Sequence, residues 1–547
     1  MKNVTIVITT ALFVACASLQ PRLPLNPASA VITADDLLKH IKILASDEFE
    51  GRLPGTRGEE KTVAYLTEQF KELGLEPGNP DGSYVQNVPL VGINGTPSAE
   101  LKVAGRKQPF KLHKDYIAVT TQFKPSVSVK DSEVVFVGYG IQAPEYGWDD
   151  YKGLDVRGKT LVMLINDPAG DEALFKGKAM TYYGRWTYKY EIAARLGAAA
   201  AIIVHEDGPA GYPWAVVDNG STGEQFELAT ADKNAGNVPV QAWITRDKAV
   251  QLFKADGVDF ETLKQEAQSA DFVPTLLDAK VSFNIRNKVR HVQSRNVVAR
   301  LPGSDPKLAD EHLIYTAHWD HLGRDRKLKG DPIYNGAVDN ASGTAGLLEL
   351  ADAFTELTPA PKRSILFLAV TAEEQGLLGS AHYAANPLYP LTKTVGVINM
   401  DSLNPWGPTR EMQAIGYGQN TLEDVLTEVA ASQGRVVVGD TQTEKGFYYR
   451  SDQFNFAKQG VPALYADGGN DVIGKPAGWG AEKGKEFTRN DYHKPSDEVK
   501  LDWDLSGAAQ DMQLLFEVGL RVADTADVPV WKAGSEFKAI REKSLAK

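Results

Sequence analysis

A chain of 547 residues holds two to four domains at roughly 150 residues each, and its 43% apolar and 24% charged residues exclude the collagen, coiled-coil and disordered classes. Lys and Arg number 59 against 71 Asp and Glu, a net charge of −12 without a basic block, so nucleic acid and anionic membranes are poor partners. The single cysteine, Cys16, excludes an internal disulfide, a cysteine-built zinc site and a CxxC redox motif, so any metal must be held by nitrogen and oxygen.

The amino terminus reads MKNVTIVITTALFVACA. One lysine precedes an apolar run from Val4 to Ala15. The run is shorter than the roughly 20 residues a membrane helix needs and fits the apolar region of a secretory signal. Two cleavage readings compete. Ala15-Cys16-Ala17 is an A-x-A site, making residues 1–17 a signal peptide, whereas Phe13-Val14-Ala15-Cys16 resembles a bacterial lipobox that would leave Cys16 lipidated. Either exports the chain, as a periplasmic protein, an outer-membrane lipoprotein or a secreted one. Pro21–Pro27 then reads as a tether.

Asp35–Leu75 is helical in pattern. Leu37, Leu38, Ile41 and Leu44 recur at three to four residues, and so do Val63, Leu66, Phe70 and Leu73, with a Gly/Pro loop between. From 132 to 273 the texture changes. Short apolar runs (Glu133–Val137, Thr160–Ile165, Ala199–Val204, Val238–Ile244) alternate with Gly-rich turns around one helical piece, Tyr188–Gly197. This predicts a separate β-rich domain. Beyond it the pattern is α/β. Strands are expected at His312–Ala317, Ser364–Val370, Thr394–Met400 and Val461–Ala466, and a helix at Gly343–Phe354. Strands alternating with helices imply a mixed, mostly parallel sheet covered by helices. Residues 531–547 form a charged tail.

Five short polar clusters sit at strand ends or in loops: TAHWDHLG (316–323), NGAVDNASG (335–343), TAEEQG (371–376), NMDS (399–402) and DYHKPSD (491–497). The carboxyl ends of strands are where sites form in open α/β sheets. A carboxylate buried there must be paired or metal-bound. Each cluster alone has a bland reading: a solvated turn, a helix cap, a carboxylate pair complementing a helix dipole. Their number and order carry the weight. His205-Glu206 lacks the second histidine of HExxH, and no G-x-S-x-G elbow occurs.

In that order the clusters resemble the di-zinc exopeptidase family of leucyl-type aminopeptidases and glutamate carboxypeptidases. Its motifs run H-x-D, D followed by N/D-x-x-G, E-E, a strand-terminal D, then H. Residues 44–76 resemble the family's amino-terminal helix-loop-helix, and FVGYG, GKTLVMLI and AARLGAAAAIIV make 132–273 similar to a protease-associated domain. The resemblance implies a zinc-exopeptidase fold split into 33–131 and 274–530 around that insertion. It implies two Zn²⁺ ions per chain sharing Asp339, with His318 and Asp401 on one, and Glu374 and His493 on the other. It implies Glu373 as general base to a water held between the ions, Asp320 as the carboxylate behind a ligand imidazole, and Tyr492 as donor to the oxyanion. The Asp339–Asn340 peptide bond is often cis in the family. His321 and His382 are set aside as non-ligands. One departure is Arg450-Ser451-Asp452-Gln453, where relatives often have Ser-Asp-His, so that loop's part in substrate binding stays open.

The function so implied is an exported aminopeptidase acting on peptide substrates. The alternatives are a carboxypeptidase or dipeptidase of the same family, a glutaminyl cyclase, or a binding protein of this fold. The ligand set does not separate the first two. The full set of ligands argues against the last two.

Overall fold

The computed structural model describes residues 25–169 and 174–546. The expected signal segment and Cys16 lie outside the described residues.

The sheet that carries the five clusters is built from β1 (Thr275–Leu301), β2 (His312–His318), β3 (Ser364–Val370), β4 (Thr394–Asn399), β5 (Glu411–Ala414), β6 (Val436–Gly439) and β7 (Ala463–Gly468). Their order is β6-β5-β7-β4-β2-β3-β1. Strand β2 is parallel to both β3 and β4, β4 to β7, and β5 to β6; β1 on β3 and β5 on β7 are antiparallel. The sheet is therefore mixed and mostly parallel.

Strands β2, β3 and β4 are buried along their whole length, which is why they read as near-continuous apolar runs. Alternate residues serve opposite faces. Leu313, Tyr315, Ile365 and Phe367 pack with α1 (Ala34–Leu44), α2 (Gly343–Thr355) and α3 (Ser506–Asp524) through Leu37, Ile41, Leu347, Phe354 and Phe516. Ile314, Leu366, Leu368 and Val397 face the other layer, with Tyr383, Phe456, Trp531 and Phe537. Each such side chain contributes about 1.5–3 kcal/mol by leaving water. Trp531 and Phe537 come from the charged tail, so those two apolar residues dock an otherwise polar segment.

A second core gathers side chains from Leu101 to Ile285. It reaches beyond 132–273 at both ends. Parallel strands Thr160–Leu164, Ala200–His205 and Val240–Thr245 lie side by side within it, as their apolar runs predict. Strand β1 belongs to both cores. Val281–Arg286 pairs with 126–132, and Val297–Leu301 pairs with Ile365–Ala369 of β3. The 19-residue strand Val85–Val103 runs antiparallel beside it. The polar residues of both strands alternate with apolar ones, and no run of four apolar residues marks them.

Candidate metal centre

Parallel register brings the strand ends to one level. His318, the last residue of β2, lies opposite Val370, the last of β3, while Thr316 lies opposite Asn399, the last of β4. Glu373, Glu374 and Asp401 follow within two to four residues. Asp339 sits in the turn Ala337–Ser342 that opens α2, and the peptide bond Asp339–Asn340 is cis. Gly336 leads into this turn at φ 56°, where a side chain would run into the Asp339 carbonyl and the His321 ring. Ala372, Ser402 and His493 all adopt φ between 53° and 64°. Left-handed backbone is unfavourable for these residues and concentrates at functional sites.

The side chains converge. Oδ1 of Asp339 lies 3.4 Å from His318 Nε2, and its Oδ2 lies 3.3 Å from His493 Nε2. Around His318 Nε2 stand Asp401 Oδ1 at 3.5 Å and Glu373 Oε2 at 3.8 Å. Around His493 Nε2 stands Glu374 Oε2 at 3.0 Å, whose other oxygen meets His321 Nδ1 at 2.5 Å. Two sets of mutually close donors result: His318, Glu373 and Asp401, and His321, Asp339 and Glu374.

These residues fit a pair of metal ions. His318 Nε2 and His321 Nε2 are buried without a hydrogen-bond partner, a state native proteins rarely leave uncompensated. Spacings of 3.3–3.5 Å about His318 and Asp339 match the edge of about 3.4 Å for a tetrahedron with arms of about 2.1 Å. The carboxylate of Asp339 faces both sets. All five expected ligands and Glu373 are brought together. His321, set aside on sequence, stands beside Glu374 within the second set. The pairing of His318 with His321 across HWDH was the signal that it belongs here.

Residues 296–516 match peptidase family M28. A mouse protein named Aminopeptidase NAALADL1 is 34% identical over 159 residues, 28% of this chain and 20% of that one. Leupeptin-inactivating enzyme 1 of Streptomyces exfoliatus is 30% identical over 217 residues, 37% of this chain and 43% of that one. The chain thus spans less than half the length of these curated relatives. The solved aminopeptidase from Aneurinibacillus sp. strain AM-1 aligns over 92% of this chain and 96% of its own, with a TM-score of 0.54 and 21% identity. That likeness shows a shared fold.

Within residues 296–516 further residues fix the donors. The Asp320 carboxylate accepts the backbone N–H of Glu373 at 3.0 Å and of Glu374 at 3.4 Å. Its distance to His318 Nδ1 is 3.8 Å, and the nearer acceptor for that nitrogen is the Asp320 backbone carbonyl at 3.2 Å. The nearer neighbour of that imidazole nitrogen is thus the backbone, and the Asp320 carboxylate holds the Glu373-Glu374 turn. Asp497 accepts the N–H groups of Val338 and Asp339, each at 3.0 Å. Ser451 donates to Asp401 Oδ2 at 2.6 Å and is itself held by Asn399. From outside the segment, buried Arg52 donates to the carbonyls of Leu44, Trp319, Asn335 and Gly336, tying the amino-terminal loop to the Asp339 turn. Sequence reasoning passed over Ser451's bond to Asp401, and over Arg52 and Asp497.

The electrostatics follow from burial and proximity. Burial opposes the charge on His318, but Glu373, Asp339 and Asp401 outweigh it and hold its imidazole well above the usual range. In the same way His493 is pushed up to about 10, by Glu374 and Asp339 against burial. Burial raises Asp339, yet His318, His493 and His321 bring it well below the ordinary carboxylate range. Burial lifts Glu373 well above that range, and Asp320 to about 7.

Two cavities flank the donors. One, of about 260 Å³, is lined by Asp401, Trp406, Asp440, Phe447, Asp467 and Tyr492. The other, of about 410 Å³, lies toward the second core and is lined by Tyr182, Arg185, Tyr212, Arg450, Glu374 and His493. Glu373 and Tyr492 border both. The Tyr492 ring stacks on His493 with centroids 3.9 Å apart.

Proposed function

We propose that the chain is a two-zinc exopeptidase that removes amino-terminal residues from peptides. The observation that carries this reading is Asp339, whose two oxygens face two separate sets of nitrogen and oxygen donors. Such donors without a thiolate suit zinc, and curated and structural relatives bear the name aminopeptidase. His318 and Asp401 would hold one ion, Glu374 and His493 the other, and Asp339 both, with His321 steadying Glu374. When bound, such ions polarise a scissile carbonyl and lower the pKa of an attacking water.

The chain's own residues supply the rest. Glu373 stands among the donors without being fixed by a side-chain hydrogen bond, so its carboxylate is free to take a proton from the water and pass it to the leaving amine. The Asp320 carboxylate holds the Glu373 backbone in place for this. Burial keeps the Tyr492 phenol protonated, as a donor to the developing oxyanion must be.

Purified protein is expected to carry close to two zinc ions and to hydrolyse aminoacyl-anilides, and chelation should abolish that activity. Full activity in zinc-free protein rejects the mechanism. Activity confined to amino-terminally blocked peptides with free carboxyl ends replaces the aminopeptidase by the carboxypeptidase reading.

Export belongs to the same reading, supported by Lys2, the Val4–Ala15 run and the two cleavage patterns at Cys16. No helix among the described residues is long and apolar enough to cross a membrane. The mass of the mature amino-terminal peptide distinguishes a cut after Ala17 from a lipidated Cys16. The second core, read as a protease-associated domain, would wall one side of the site.

A further inference from the structure

The chain between the parallel strands Ala200–His205 and Val240–Thr245 of the second core crosses to the metal centre. It forms the helix Trp214–Gly220 and the strand Glu224–Leu228. The helix is anchored in the second core. Val217 is part of that core, the Trp214 indole donates to the His113 carbonyl at 2.9 Å, and Asp218 meets His113 Nδ1 at 2.7 Å. The next residue, Asn219, turns outward and donates its side-chain amide to the backbone carbonyl of His493 at 3.3 Å. The strand reaches the other ligand of the same donor set. The backbone N–H of Phe226 donates to Gln375 Oε1 at 3.0 Å, and the Phe226 ring packs with Ala372 and Leu378, on either side of Glu373 and Glu374.

These contacts fall where the segment 296–516 offers little support of its own. The outer nitrogen of a metal-binding imidazole normally has a partner that fixes the ring. For His318 Nδ1 that neighbour is the Asp320 carbonyl at 3.2 Å, whereas Nδ1 of His493 is buried without one. The His493 ring is therefore set by its stack on Tyr492 and by its backbone, which holds the unfavourable φ of 57°. Among the described residues Asn219 makes the one hydrogen bond that ends on this backbone. The other donors are served differently. Asp339 and Asp401 are held by Asp497 and Ser451, and no hydrogen bond from the second core reaches them or His318 among the described residues.

Resting on the two-zinc reading, we propose that Asn219 and the Phe226 N–H are positioning groups for one ion only, the one that Glu374 and His493 would hold. The second core is thereby part of that half of the metal centre, and the half built on His318 and Asp401 is independent of it.

The test is zinc binding by the full chain, measured by competition with a chromophoric chelator, for the parent, Asn219→Leu and Gln375→Met. Each substitution keeps the side chain's size and removes one of the two hydrogen bonds. Each is expected to weaken one zinc-binding step by roughly ten- to a hundredfold and to leave the other unchanged. Asp401→Ala and His493→Ala assign the step. Asn219→Leu should act in the first background, where the Glu374–His493 set remains, and be silent in the second. Unchanged affinities in either variant, a loss confined to the His318–Asp401 ion, or equal loss of both ions overturns the proposal. Equal loss would mark the contacts as supports of the fold alone. Two ions in the parent with no response to either variant removes the inference and keeps the reading, whereas a parent that binds no zinc removes both. Absent turnover of a leucyl-anilide by the parent, with the one-ion response intact, would remove the aminopeptidase activity and leave the inference.

Discussion

Ser451 donates its hydroxyl to Oδ2 of Asp401 at 2.6 Å. The bond leaves Oδ1 to face His318 at 3.5 Å, so a serine in a loop decides which oxygen is presented to the donor set. Ser451→Ala frees that carboxylate to rotate. Outer partners of this kind affect metal affinity by roughly 10- to 100-fold. Competition with a chromophoric chelator should show at least about a tenfold loss; unchanged affinity would rule out the orienting role.

Glu373→Gln keeps the size and the backbone contacts of Glu373 but removes the proton acceptor. Zinc content should stay close to two ions while kcat falls by roughly 10²- to 10⁴-fold, the usual worth of a general base. A variant within a factor of a few of the parent in steady-state kinetics would place the base elsewhere.

His321 touches Glu374 at 2.5 Å, and Glu374 in turn faces His493. Its loss should weaken one ion and spare the other. After exhaustive dialysis, His321→Ala is expected to retain about one zinc equivalent where the parent retains two. Metal analysis showing two tightly held ions would return His321 to a bystander.

His312 starts β2 with its ring stacked on Tyr389 at 4.3 Å and both nitrogens buried without partners. Burial, with Arg300 nearby, lowers it to about 4, against about 6.5 in an unfolded chain. The sign follows. Above pH 6.5 both states are neutral and stability is unaffected. As pH falls from 6.5 toward 4 the unfolded chain binds a proton that the folded one refuses, and up to about 3 kcal/mol is lost. His312→Phe keeps the stack without the titration. Denaturant midpoints measured across that window should slope less steeply in the variant, and parallel slopes would disprove the assignment.

The site was legible to the extent that its chemistry is carried by residue type at fixed spacing. His318, Asp339, Glu373, Glu374, Asp401 and His493 follow strand ends or turns whose positions the apolar runs reveal. Ser451, Arg52 and Asp497 act through bonds to partners far along the chain, and a serine, an arginine and an aspartate in loops look the same with or without such partners. Asp320 shows a subtler limit. Its place behind His318 was readable, but whether backbone or carboxylate faces the imidazole depends on a turn that only coordinates define. The long strands 85–103 and 275–301 escaped for a different reason. Polar residues on one face of a half-exposed strand break the runs that make β2, β3 and β4 conspicuous.

The double membership of β1 joins the two cores through one strand. No linker of free length joins the two cores; their strands belong to one continuous sheet. The pairing of the shared strand with 126–136 shifts register between Leu276 and Lys280 and between Val281 and Phe283. The two cores are thus arms on one shared beam, and a motion of one against the other must bend it.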